Sequence, residues 1–196
     1  MLNSADLQSY HNTYQSKFSP SELWLEFKSG NRQAFEQIYR SHFAQLYNYG
    51  MTMHPKEPAV KDAIQQLFVD LWQRRSNLSD VDNPASYLIK SLRHKLLSII
   101  EEDKRYDHNT APENVELEFI PSQEMSMISE QDGSLRRNRI KLLINDLPPR
   151  QREVIMLIFF EEKSYEEASA ILSMSIQSVY RLVWRAISSL RQSLPR

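Results

Sequence analysis

The chain has 196 residues, 41% hydrophobic, with a formal net charge of −1 and no cysteine. That length and apolar content suit one medium or two small packed domains and exclude global disorder, and the missing cysteines exclude a disulfide framework. Only three glycines among many Leu, Ile, Gln, Glu and Arg residues favour an all-α fold. The strongest apolar run, Val154–Phe160, is far too short to span a bilayer, and the opening Met-Leu-Asn-Ser starts no secretory signal, so a cytoplasmic protein without direct membrane insertion is expected. The near-zero total hides a pattern. Residues 1–100 carry a charge of +2, residues 101–132 carry −8 and residues 133–196 carry +5. Local potential governs attraction to phosphates, so this balance does not exclude a nucleic-acid partner.

Residues 1–18 read as a flexible N-terminal segment. Ser19-Pro20-Ser21-Glu22 is a capping-box signature with proline at the first helical position, opening a short helix that stops near Ser29-Gly30. Asn31 caps the next helix, where Phe35, Ile38, Tyr39, Leu46 and Tyr47 form an apolar face; Pro55 and Pro58 interrupt it. A third helix over Ala59–Arg74 carries a wide apolar stripe of Val60, Ala63, Ile64, Leu67, Phe68, Leu71 and Trp72. Its other side holds Asp62, Gln65, Gln66, Asp70 and Gln73. Arg75–Asp82 reads as a polar loop. Asn83-Pro84 begins a fourth helix with Leu88, Leu92, Leu96 and Ile99 inward, and Ser86, Lys90, Arg93, His94 and Lys95 on faces that can point outward. No acid stands between Pro84 and Ile100, a pattern that fits either a solvated surface or a nucleic-acid contact.

Residues 101–132 are acidic and proline-punctuated, as in an extended linker, and their charge offers a competitor to DNA for the basic faces. Leu135–Asn145 resumes helical spacing, Leu147-Pro148-Pro149 turns the chain, and Arg150–Phe160 reads as a helix. Ser164 caps a further helix with Glu166 and Glu167 in its first turn and Ala168, Ile171 and Leu172 on its buried side. Ser173-Met174-Ser175 breaks the pattern. Ile176, Val179, Leu182, Val183, Ala186, Ile187 and Leu190 then recur at helical spacing, leaving Gln177, Ser178, Tyr180, Arg181, Trp184 and Arg185 largely on other faces. The stretch from Ile176 to Arg196 has four arginines and no acid. A bracing helix, a tight turn and a second helix with polar residues in its N-terminal half form a helix-turn-helix pattern. A helical hairpin with a solvated basic face shares it.

The combination resembles the extracytoplasmic-function (ECF) sigma factors of bacterial RNA polymerase. The resemblance rests on AFEQIYRSHFAQLYNY, KDAIQQLFVDLWQRR and NPASYLIKSLRHKLL in the first half, and on INDLPPRQREVIMLIFFEEKSYEEASAILSMSIQSVYRLVWRAISSLR in the second. It implies region 2 over residues 19–104, an acidic linker over 105–133 and region 4 over 134–196. It implies that Asp62, Gln65, Gln66 and Asp70 dock on the β′ coiled coil of core polymerase, with the β flap as a further contact. Asn77, Asn83, Tyr87, Lys90, Arg93 and Lys95 would recognise and melt the −10 element, capturing an extruded base. Gln177, Ser178, Tyr180, Arg181, Trp184 and Arg185 would meet the −35 element, with Arg150, Arg152, Tyr165 and Ser175 on its backbone. The resemblance also implies an anti-sigma factor, membrane-anchored in many members.

Several residues depart from the family pattern. Ser173 stands where glycine is common, Tyr180 where a basic residue is common, Leu182 where arginine is common, and Arg181 where serine is frequent; Gln65 and Gln66 replace usual acids. Two other classes fit parts of the pattern: a stand-alone helix-turn-helix regulator, and a sigma-like adaptor that binds polymerase without opening promoters. The five histidines show no metal-ligand spacing, and no nucleophile–base pair or glycine-rich phosphate loop is visible, so neither an enzyme nor a cofactor is expected.

Overall fold

The computed structural model describes residues 19–106 and 142–193, all helical apart from turns and connecting loops. Helix α1 (Pro20–Lys28) starts where the sequence places it. The Ser19 hydroxyl accepts from the Glu22 amide and the Glu22 carboxylate accepts from the Ser19 amide, closing the capping box. The Ser19 amide, and then the Ser19 side chain, hold the Glu22 carboxyl below its ordinary pKa. Trp24 and Phe27 on its inner face are fully buried. Gly30, at φ 97°, turns the chain into α2 (Arg32–Met53), whose Gln33 and Ala34 amides are met by the Asn31 side chain.

Helix α3 (Glu57–Arg74) begins before Ala59 because Pro58 sits in its first turn, where no amide hydrogen is needed, rather than interrupting the helix. Its expected stripe is buried from Val60 to Leu71. Phe35 lies 5.0 Å from the Trp72 ring and 5.9 Å from Phe68, while Tyr39 meets Phe68 edge-on at 4.8 Å. The chain then makes a single 3₁₀ turn (Arg75–Asn77), and the Trp24 indole pins the following loop by donating to the Ser79 carbonyl at 3.2 Å. Helix α4 (Pro84–Tyr106) buries Leu88, Ile89, Leu92 and Leu96 completely. It continues through residues 101–106, so the helix reaches into the stretch expected to be linker; the N-terminal segment 1–18 and the bulk of the linker lie outside the described residues.

In the second half, residues 142–145 are helical and α5 (Pro149–Ile155) follows the Leu147-Pro148 turn. The expected single helix to Phe160 changes register: Met156–Phe160 forms a π turn, with the Glu161 amide donating to the Met156 carbonyl. Ser164 and Glu167 close a second capping box at the start of α6 (Tyr165–Leu172), and α7 (Ile176–Ser193) follows after a three-residue turn. Ile144, Leu147, Ile155 and Ala186 make a small core of their own.

The two helical domains pack against each other. One continuous apolar cluster joins Trp24, Leu46, Leu88 and Leu92 to Val154, Leu157, Ala168, Ile171 and Val183. Gly50 permits the close crossing beneath it: a β-carbon there would lie 2.5 Å from Val60 Cγ1, and a β-branched side chain cannot swing away. We expect Gly50→Ala to destabilise the protein by about 1–3 kcal/mol, read as a lowered Tm; an unchanged Tm would show that α2 and α3 tolerate a wider separation.

Candidate nucleic-acid interface

Two surfaces carry the sequence-predicted residues. The first is the outer face of α7. Ser175 caps the helix, accepting from the Ser178 amide at 3.3 Å. Val179, Val183 and Ala186 face inward, which turns Gln177, Tyr180, Arg181, Trp184 and Arg185 to solvent. Trp184 is 70% exposed and Tyr180 52%, large fractions for aromatic side chains within a well-packed helix. Tyr180 is braced from α6 by Tyr165, stacked at 4.1 Å with an interplanar angle of 16°. Arg181 donates to the Ser178 hydroxyl at 3.1 Å, which aims its guanidinium along the helix toward the N-terminal turn. Arg150 is exposed at the start of α5.

Arg152 departs from the expectation of a backbone contact. It is 5% exposed and donates to the Leu147 carbonyl at 3.2 Å, while its Nε and Nη1 have no partner. Burial weakens the guanidinium's hold on its proton, only partly offset by the charge of Asp146. Its position in the inward turn of α5 makes it a brace for the Leu147 turn.

The second surface is the loop before α4 and the first turns of that helix. Asn77 and Lys90 are exposed. Asn83 caps α4, its side-chain Oδ1 accepting from the Ser86 amide at 3.0 Å. Tyr87 is half-buried against Trp24, edge-on at 5.3 Å. Two residues expected to face outward do not stand free. Arg93 is 4% exposed, and its Nε donates to Glu153 Oε1 of α5 at 2.7 Å, so the guanidinium meets protein. Lys95 is ion-paired with Asp70 at 2.6 Å, joining a residue expected to touch DNA to one expected to touch polymerase. Lys95 and then Gln66 hold the Asp70 carboxyl below its ordinary pKa. Asp62, Gln65 and Gln66 remain exposed on one side of α3, around Val69.

Sequence reasoning missed the residues that join the surfaces. Glu153, buried in α5, also accepts from the Tyr49 hydroxyl at 2.8 Å. Burial first, and then the Glu153 charge and hydrogen bond, raise the Tyr49 phenol well above its ordinary pKa. Glu167 Oε1 accepts from the Asn83 side chain at 2.6 Å and the Ser86 hydroxyl at 2.8 Å. Gln45 donates to Glu161 at 2.6 Å. The only sequence signal was an acid set inside the apolar run after Arg152.

Comparison with known proteins decides what the helices belong to. A family profile described as "Sigma-70, region 4" matches residues 137–190, the segment containing α5 to most of α7. The chain is 23% identical over 170 residues to RNA polymerase sigma factor YlaC of Bacillus subtilis, covering 85% of this chain and 95% of that one. It is 26% identical over 173 residues to RNA polymerase sigma factor CnrH of Cupriavidus metallidurans, covering 86% and 90%. Residues 137–190 thus carry the sigma-70 region 4 pattern, and the chain is similar over most of its length to RNA polymerase sigma factors. The fold of the chain is also that of CnrH in complex with the cytosolic domain of CnrY (TM-score 0.62, 21% identity, 88% and 94% covered). It matches too the sigma factor RpoE in complex with the anti-sigma factor NepR from Bartonella quintana (TM-score 0.67, 22% identity, 83% and 98% covered).

The helix-turn-helix is closed by Ser173, which adopts the left-handed conformation at φ 55°, ψ 48°. Ser169 braces the turn by donating to the Met174 carbonyl at 2.5 Å. A side chain at this φ is strained. Ser173→Gly should therefore stabilise the protein by up to about 1 kcal/mol, seen as a raised Tm; a lowered Tm would mean that the Ser169 brace has removed the strain.

Proposed function

We propose that this sigma factor binds core RNA polymerase, gives it promoter specificity and helps it open DNA, with no chemistry of its own. The observation that carries the reading is the exposed polar and aromatic face of α7, presented by a buried apolar stripe and steadied by the Tyr165–Tyr180 stack. Gln177, Ser178, Tyr180, Arg181, Trp184 and Arg185 reach the edges of the −35 bases, and Arg150, Tyr165 and Ser175 hold its backbone. Arg152 serves that surface from beneath. Asn77, Asn83, Tyr87 and Lys90 take the −10 strand, with Tyr87 and the amides offering a stacking face and hydrogen-bonding edges to an extruded base. Arg93 and Lys95 join them only after their present partners release them.

Asp62, Gln65, Gln66 and Asp70 form the docking face for the β′ coiled coil, with Val69 as an apolar anchor among them, and the α7 module approaches the β flap. Both similar solved structures are complexes, with CnrY and with the anti-sigma factor NepR, which supports a regulator of that kind for this protein. No helix among the described residues is long and apolar enough to cross a membrane; work on promoter DNA supports a cytoplasmic location. Among the described residues no group of His, Asp and Glu side chains is arranged to hold a metal ion.

Transcription with cognate core polymerase, followed by mapping of RNA start sites, tests this directly. New start sites are expected, and unaltered initiation would exclude a sigma role. On a mapped promoter, Arg181→Ala or Arg185→Ala should each cost about 1–3 kcal/mol of discrimination, a five- to hundredfold loss of −35-dependent transcription with polymerase association retained. Equal losses on scrambled −35 DNA would contradict base reading.

A further inference from the structure

The solvent side of α7 is divided into two lanes of residues one helical turn apart. Gln177, Arg181 and Arg185 form a polar and cationic lane; Ile176, Tyr180 and Trp184 form an apolar lane beside it, about 100° round the helix. The three apolar side chains are 39%, 52% and 70% exposed, so exposure grows along the lane while Val179, Val183 and Ala186 stay in the core. Large apolar side chains aligned in water at that exposure mark a binding surface. Their neighbours say what kind. From Ile176 to Arg196 the chain holds four arginines and no acid, a charge that complements a polyanion. Yet none of the three apolar residues pairs with a phosphate through charge, and none makes the bidentate contact by which a guanidinium reads guanine. The major groove of duplex DNA offers such side chains one apolar group, the C5-methyl of thymine. The tyrosine is also held still. Tyr165 from α6 stacks on its ring at 4.1 Å with an interplanar angle of 16°, while half of the Tyr180 surface remains in solvent.

We propose that the Ile176–Tyr180–Trp184 lane reads thymine methyl groups in the −35 element, with Tyr165 as the positioning residue for Tyr180. Part of the promoter is then selected by apolar contact rather than by hydrogen bonds alone. The proposal rests on the −35 reading given above and specifies its chemistry. The spacing sets the reach. Residues four apart rise about 6 Å along the helix and bases on one strand lie roughly 3.4 Å apart, so neighbouring members of the lane meet methyls one or two base steps apart. Each methyl taken from water into contact with a ring counts like one buried CH₂ group, about a three- to fivefold change in affinity. A ring already stacked loses little conformational freedom on docking, so ordering does not offset that gain. The two lanes divide the work: the arginines supply charge and guanine recognition, and the rings distinguish thymine from other pyrimidines.

The first arm of the test changes the DNA and leaves the protein intact. Holoenzyme assembled from the full chain and cognate core polymerase is bound to a promoter duplex taken from a mapped start site. Each −35 thymine, on either strand, is replaced singly by deoxyuridine, which removes the methyl and keeps every hydrogen-bonding group. At one or two thymines the substitution should weaken binding about three- to fivefold. Tyr180→Ala and Trp184→Ala should each bind the thymine promoter more weakly and lose the thymine-to-uracil difference at one of those positions, the signature of a direct contact in a double-mutant cycle. Tyr180→Phe should keep the difference, which separates the ring from its hydroxyl. Tyr165→Ala should reduce it and Tyr165→Phe should retain it, whatever either does to overall affinity. Uracil tolerated at every −35 thymine, or a methyl effect that survives both Tyr180→Ala and Trp184→Ala, overturns the proposal; the −35 reading then stands if exchanging whole −35 base pairs still costs affinity. If exchanging base pairs costs nothing either, the −35 reading fails and the proposal with it. Loss of polymerase association in Tyr180→Ala or Trp184→Ala, alike on thymine and uracil promoters, would make the lane a protein contact and overturn it too.

Discussion

A single carboxylate organises the middle of this molecule. Glu153 is carried inward by the first turns of α5 and meets the Arg93 guanidinium and the Tyr49 hydroxyl on one oxygen. Those donors come from two helices of the other module, so the contact fixes both the rotation and the depth at which the modules meet. Around it the apolar cluster is continuous from Trp24 to Val183. Apolar burial supplies most of the attraction, but it is nearly indifferent to register. The polar trio is directional. A small rotation would bury a charge without a partner, and that penalty makes the arrangement specific.

The same packing explains how each functional face is held. The recognition helix is oriented by Val179, Val183 and Ala186, and its aromatic flank is propped by a tyrosine from the preceding helix. The loop before α4 is pinned from α1 by the Trp24 indole and by the Lys28–Asp80 ion pair. Rigid scaffolding beneath a short reading segment limits the conformational entropy lost on binding. The contact between the modules is a continuous apolar cluster around one buried ion pair, with hydrogen bonds from Gln45, Asn83 and Ser86 beside it.

Local physics was legible in the sequence. Ser19, Asn31 and Ser164 announced their helices because a cap involves residues only two or three positions apart. The apolar stripes of α3, α4 and α7 followed from period alone. Pro58 was misjudged because a proline signals a break or a first turn with equal force. The π turn at Met156–Phe160 leaves no mark in apolar spacing over so few residues. Arg93 and Arg152 were expected at the surface because arginine is rarely buried, and their burial depends on partners far along the chain or on a local turn carbonyl. The contacts between modules link residues 60 to 116 positions apart, beyond any periodic signal.

On the proposed function the chain, here folded on itself with α6 against the first turn of α4, opens when both modules bind one promoter. Fluorescence energy transfer between one dye on α3 and one on α7 follows that transition in single molecules as core polymerase and then promoter DNA are added. High transfer in the free protein that collapses to near zero in the promoter complex, a separation of tens of ångströms, is the result expected. Transfer that stays high in a transcribing complex would contradict the account.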